Sequence, residues 1–165
     1  MISGVGLRFQ LSGSLFHNQH LCLDTQELRS PKKLGIKDGF RVALLHLPDD
    51  VKSELRAELA KCRTQKVAEA DKNLDFVFLF AKSRAALEHE FLPAAEALAP
   101  AGMLWVSWPK KSSGVPTDLT EDVIRQTGLS AGLVDVKVCA VTEIWSGLKF
   151  VIPLKNRPKG ETLAT

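Results

Sequence analysis

What the sequence leaves out narrows its chemistry. The longest strictly apolar run is Phe76 to Ala81, far short of the roughly 20 residues that cross a bilayer, so no membrane span is expected. Three cysteines, Cys22, Cys62 and Cys139, form no Cys-x-x-Cys pair, which argues against a disulfide framework and a zinc knuckle. Cys62 and Cys139 read as small core residues. No Gly-x-Ser-x-Gly elbow presents a nucleophilic serine, and no internal repeat is visible. Charge of one sign is also scarce: 22 basic against 19 acidic side chains leave a net +3, too mild for nucleic-acid binding by bulk electrostatics. Met1 to Arg8 carry neither a basic leader nor a continuous apolar segment, so no cleaved signal is expected and a cytoplasmic setting follows. The first strand of the regular region, Arg41 to Leu47, runs into Pro48-Asp49-Asp50, where a nucleotide-binding α/β protein would carry a glycine-rich turn.

What remains is a sequence of ordinary globular composition. Its 165 residues are 45% apolar and 25% charged, which suits one soluble domain with a single core. The organisation reads as an N-terminal extension over 1–30, one α/β domain over 31–153 and a polar tail over 154–165. Val5, Leu7, Phe9 and Leu11 alternate in the extension as in an edge strand. His17, His20 and Cys22 follow, three zinc-type donors without a fourth ligand.

From Pro31 the pattern becomes regular. A helical turn at 31–36 and a tight turn at Lys37-Asp38-Gly39 lead into the continuously apolar strand 41–47, the signature of a strand covered on both faces. Asp49 and Asp50 offer N-caps for a helix carrying Val51, Leu55, Leu59 and Cys62 on one face. A weak strand at 64–68 precedes the Phe-rich strand 74–80. Ser83 caps the next helix, which Pro93 should kink and Ala99-Pro100-Ala101-Gly102 should stop. A strand at 103–108 and a lysine-serine loop then reach a helix opened by Thr117 or Asp118 and stopped by Gly132. Strands 134–141 and 144–152 close as an antiparallel hairpin.

This order of elements implies a three-layer, Rossmann-like open sheet, parallel except for its C-terminal hairpin. Trp105-Val-Ser-Trp-Pro-Lys-Lys-Ser-Ser-Gly114, Thr117-Asp-Leu-Thr-Glu-Asp122 and Gly132-Leu-Val-Asp-Val-Lys-Val-Cys-Ala-Val141 resemble the marks of a family of small, uncharacterised bacterial proteins of methyltransferase-like fold. The resemblance spans about Pro31 to Pro153. It implies a truncated methyltransferase-like topology and no catalytic residues. Methyltransferases place glycines after the first strand, beside S-adenosylmethionine, and an acid after the second. Here Leu45-His46-Leu47-Pro48 take the first position, with Glu69 as a candidate for the second. Side chains and a proline ring are therefore expected to occupy the cofactor's space, giving a cofactor-free domain.

The candidate ligand surface is the loop after the strand ending at Trp108. Lys110, Lys111, Ser112 and Ser113 offer ammonium and hydroxyl donors, and a helix N-terminus at Thr117 and Asp118 would add N–H groups. With Ser107 and Trp108 these residues form an expected anion-binding site for a small, phosphate-bearing ligand, a protein partner being the other candidate. Nucleic acid and membrane are disfavoured. The loop is no Walker motif, because its lysines precede its serines without spaced glycines. Trp105 and Trp108 lie on opposite faces of one strand, so at most one lines a crevice. His46 stands at a strand's carboxyl edge, placed to act with Asp49, Ser107 or Ser112 as a base. A binding or interaction module is the leading reading, and a divergent methyltransferase-like or nucleotide-dependent enzyme is the runner-up.

Overall fold

The computed structural model describes residues 31–158. The readings of the extension, including its strand and its His17, His20 and Cys22 donors, lie outside the described residues, as do 159–165. Six strands form one sheet: β1 (Arg41–Leu45), β2 (Arg63–Thr64), β3 (Leu74–Phe80), β4 (Leu98–Pro109), β5 (Val134–Ala140) and β6 (Trp145–Val151), in the order β2-β1-β3-β4-β6-β5. β1 to β4 pair in parallel, whereas β6 runs antiparallel to both β4 and β5.

The aliphatic and aromatic runs dictate the two faces. Alternation along β3 sends Val77 and Leu79 to one side and Phe76, Phe78 and Phe80 to the other, as a pleated strand requires. The first side is covered by α4 (Arg84–Glu96) and α5 (Glu121–Ser130) through Leu87, Phe91 and Ile124. The second is covered by α1 (Pro31–Leu34), α2 (Asp49–Glu54) and α3 (Arg56–Leu59) through Leu34, Val51 and Leu55. Both faces are buried, which explains why β3 is apolar at nearly every position. At the amino edge, Arg41 grips Asp75 with Nε and Nη2 at 3.0 and 3.1 Å. None of the described helices is long and apolar enough to cross a membrane.

Several boundaries differ from expectation for identifiable reasons. The helix expected from Asp49 to Cys62 breaks at Leu55 (φ −96, ψ 5) into α2 and α3, although its apolar face survives. Pro48 is the N-cap, and Asp49 and Asp50 sit in the first turn, where the helix dipole favours them. Only Arg63 and Thr64 pair as β2, and Val67–Glu69 forms a 3-10 turn. Pro93 lies on the exposed side of α4 without ending it. Residues 99–102, read as a stop, belong to β4, which pairs with β3 through an irregularity between Leu74 and Phe76. A Cβ at Gly102 would strike the Leu74 carbonyl, so glycine lets the two backbones pass. Ser83 does cap α4, its Oγ accepting from the Ala86 N–H at 3.2 Å. Gly132 follows the last residues of α5 at φ +88, the left-handed stop that its type predicts.

Cross-strand register places Lys137 directly opposite Lys149. Burial, then the neighbouring Lys137 charge, push the Lys149 ammonium below its ordinary value of 10.5. Like charges facing each other destabilise a ladder by roughly 0.2–1 kcal/mol. Lys149→Met is therefore expected to raise the free energy of unfolding in urea by a few tenths of a kcal/mol. Because the folded pKa is lowered, the wild type recovers this loss as the pH climbs toward 10.5. The advantage of the variant should shrink over that range, and an advantage constant with pH would contradict the pairing.

Candidate functional site: the crevice at the sheet's switch point

β1 passes its chain outward to β2, while β3 passes its chain the other way to β4. Connections that diverge leave a gap between the carboxyl ends of the two strands, the usual ligand position in open α/β sheets. A crevice of about 390 Å³ opens there, within the size range of small-molecule sites. It has three walls.

The first wall is the turn after β1, represented by His46 and Pro48. His46 adopts φ +57, a left-handed conformation that costs a non-glycine residue on the order of 1–3 kcal/mol. Its Nε2 lies 3.3 Å from Oε1 of Glu90 on α4, so the pair bridges the β1 turn to the helix after β3. Asp49, Ser107 and Ser112, the partners considered from sequence, are not bonded to it among the described residues.

The second wall is Phe80, Ala81, Lys82 and Ala86. Its backbone is held from several sides. The Ala81 N–H donates to the Ser107 carbonyl at 3.0 Å. The Thr117 hydroxyl donates to the Lys82 carbonyl at 2.6 Å, and the Arg84 N–H donates to Asp118 Oδ1 at 2.8 Å.

The third wall is Trp145, which meets Phe80 edge to face with ring centroids 5.0 Å apart at 83°. Its N–H donates to Thr142 Oγ1 at 3.1 Å, and its carbonyl accepts from Val141 and Thr142. The Lys110 N–H donates to the Ile144 carbonyl at 2.8 Å, fixing the adjoining residue.

None of the eight residues nominated from sequence lines this crevice. Ser107 is fully buried, and its Oγ has no partner among the described residues. Trp108 packs in the core layer under α4 and α5, and Trp105 packs in the opposite layer. Lys111 and Ser112 are exposed on a 3-10 turn, Lys111–Ser113. The Ser113 hydroxyl donates to the Lys110 carbonyl at 2.6 Å and accepts from the Val115 N–H at 3.2 Å. Neither Thr117 nor Asp118 opens α5: its N-cap is Thr120, whose Oγ1 accepts from the Val123 N–H at 3.3 Å. Ser107, Lys110, Thr117 and Asp118 thus position the crevice walls through the backbone. Lys82, Glu90 and Ala86 escaped the sequence reading. The available signal was Lys82 itself, a lone cation between the end of a buried strand and a helix cap.

The strap across the second wall has a measurable worth. Thr117→Val removes the hydroxyl from Lys82, and Asp118→Ala strips a carboxylate from the α4 N-terminus. Each is expected to cost about 0.5–2 kcal/mol in chemical denaturation, the range for cap-type bonds. Two variants that unfold like the wild type would show that the strap holds nothing.

Residues 31–154 match DUF3052, described as a protein of unknown function. The chain belongs to the DUF3052 family. A search of curated proteins returns no match for this DUF3052 chain. Solved structures give its fold. An S-adenosylmethionine-dependent methyltransferase from Aquifex aeolicus is similar at 14% identity with a TM-score of 0.52, over 79% of this chain and 98% of that one. Aeropyrum pernix fibrillarin, crystallised with S-adenosylmethionine, is similar at 12% identity and 0.53, over 79% and 74%. A putative type 11 methyltransferase from Sulfolobus solfataricus is similar at 16% and 0.50, over 82% and 94%. The DUF3052 chain has a truncated methyltransferase-like, Rossmann-like α/β fold.

Such a fold implies S-adenosylmethionine, so its fit is testable on the residues present. The β1 turn has no glycine for close backbone approach. Instead the His46 imidazole and the Pro48 ring line the crevice, and the His46–Glu90 bond crosses from this turn to α4. Glu69 lies on the 3-10 turn beyond β2 and lines a different cleft of about 380 Å³ with Gln65 and Lys66. These residues do not fit the cofactor. Of residues 45–48, His46 and Pro48 line the crevice, and about 390 Å³ stays open beside them.

Proposed function

We propose that this DUF3052 chain is a binding module that works in the cytoplasm and takes a small molecule in the switch-point crevice, without S-adenosylmethionine. The observation that carries the reading is an open cavity with a pinned frame, at the one place where the cofactor turn has been replaced. Preformed walls lower the ordering cost of binding. The loop 107–118 belongs to the proposal as the frame's fastening, and Lys111, Ser112, Gly114, Pro116 and Asp118 are its exposed part.

The test is a heat-shift screen of small molecules on the full chain, repeated on Ala86→Trp. Ala86 lines the crevice from α4, and an indole there fills it. A ligand at 100 times its Kd stabilises by about 2.7 kcal/mol, a shift of several degrees for a chain of this size. The wild type should respond to at least one compound and Ala86→Trp to none. A hit that stabilises both equally would remove the crevice from consideration.

The runner-up is a divergent methyltransferase-like enzyme, favoured by the neighbours' fold. It requires S-adenosylmethionine to raise the melting temperature of the wild type, and a flat response at millimolar cofactor counts against it.

A further inference from the structure

We infer, resting on the crevice reading above, that the ligand is a flat aromatic acid carrying one anionic group. Its ring would occupy the slot beside Phe80, Pro48 and Trp145, with its carboxylate or phosphate on the Lys82 ammonium. The lining chemistry points this way. Two aromatic rings, a proline ring and the methyl groups of Ala81 and Ala86 line it, and among the described residues its polar side-chain groups are those of Lys82, His46 and the Trp145 indole N–H. A sugar or other polyol would leave its hydroxyls unpaired against such walls, and burying polar groups without partners is costly. A flat ring keeps its contacts with the edge-to-face pair Phe80 and Trp145.

The charge of the ligand follows from which groups are already engaged. Glu90 sits within 3.3 Å of His46 and 3.5 Å of His89, so the imidazole at the rim faces a carboxylate. Arg84 Nε bonds Glu88 at 3.0 Å. Among the described residues Lys82 has no ion-pair partner and no carboxylate lines the crevice. Its carbonyl is held by Thr117, and the neighbouring helix N–H is satisfied by Asp118. Lys82 is thus an exposed lining residue on a held backbone, and it brings a single positive charge to the crevice. One ammonium suits one anionic group, whereas a polyphosphate would need several cations or helix N–H groups.

Calorimetry on the full chain tests this with three probes: cinnamate, its neutral isostere cinnamamide, and phenyl phosphate. At least one acid should bind about tenfold or more tighter than the amide, as a charge-assisted bond implies. The better acid identifies the head group, and either outcome supports the proposal. Lys82→Met should erase the preference for acid over amide while the amide's affinity stays within about twofold. Ala86→Trp should abolish binding of all three, with circular dichroism confirming that it folds. Equal binding of acids and amide, or an acid preference that survives Lys82→Met, overturns the aromatic acid and leaves the crevice standing. Binding that survives Ala86→Trp overturns the crevice reading itself. If none of the probes binds while another compound from the screen does so in an Ala86-sensitive manner, the ligand class is wrong and the site is right.

Discussion

Gly128→Ala is expected to lower stability by about 1–3 kcal/mol, the cost of overpacking a full core, even though alanine is the better helix former by roughly 1 kcal/mol. Gly128 lies inside α5 where the helix crosses β6, and a Cβ there would land inside the ring of Phe150. Phe150 cannot step aside cheaply, because it meets Phe91 of α4 edge to face at 5.5 Å and 89°. Relief would require α4 and α5 to separate, which loosens the layer that seats the crevice's second wall. Gly128→Val should go further and leave no soluble, cooperatively unfolding protein. Urea denaturation reads the alanine variant directly, and a midpoint equal to the wild type would contradict the close approach of helix and ring.

Trp105→Ala should cost about 3–5 kcal/mol, the range for removing a large buried ring. With total stabilities of ordinary domains near 5–15 kcal/mol, that loss takes much of the margin. Trp105 is fully buried in the centre of β4, and its Nε1 donates to the Leu34 carbonyl at 2.9 Å. The ring fills the layer, and the indole N–H ties α1 to the sheet. Trp105→Phe separates the two roles. It keeps most of the volume and leaves a buried carbonyl without its donor, at about 1–3 kcal/mol. A phenylalanine variant as stable as the wild type would show that the tie to α1 is idle.

Much of the layered fold was legible because it rests on local signals. β3 declared itself by a run of bulky residues with both parities apolar, the hairpin by two apolar runs around Thr142 and Glu143, and the end of α5 by Gly132. The failures share a cause: in each, a tertiary partner overrode a local pattern. Val51, Leu55 and Leu59 keep a helical spacing across a break at Leu55, because packing on the Phe-rich face fixes the side chains and leaves the backbone free to kink. Thr117 and Asp118 look like helix caps, but Asp118 satisfies the first N–H of α4, some thirty residues earlier in the chain, and Thr117 holds the Lys82 carbonyl just ahead of it. Ala99 to Gly102 look like a breaker, yet the neighbouring strand draws them into β4.

The candidate site was half legible for the same reason. The carboxyl edge of the sheet is where the crevice opens, and the turn after β1 carries no glycine. The crevice itself depends on Trp145 arriving from the far end of the chain, on Glu90 reaching His46 across the edge, and on the strand order placing β1 beside β3. No spacing in the sequence encodes those meetings. The lysine-serine loop drew notice because it gathers donors in sequence, whereas Ser113 and Thr117 turn theirs inward to backbone carbonyls.

The carboxylate of Asp118 at the head of α4 takes the place that a dissolved oxyanion would otherwise seek. The oxyanion's rival for that amide is part of the chain and never diffuses away, with an effective concentration on the order of millimolar or above. A free anion would therefore have to displace a tethered carboxylate before it could reach the Arg84 N–H at that end of the helix.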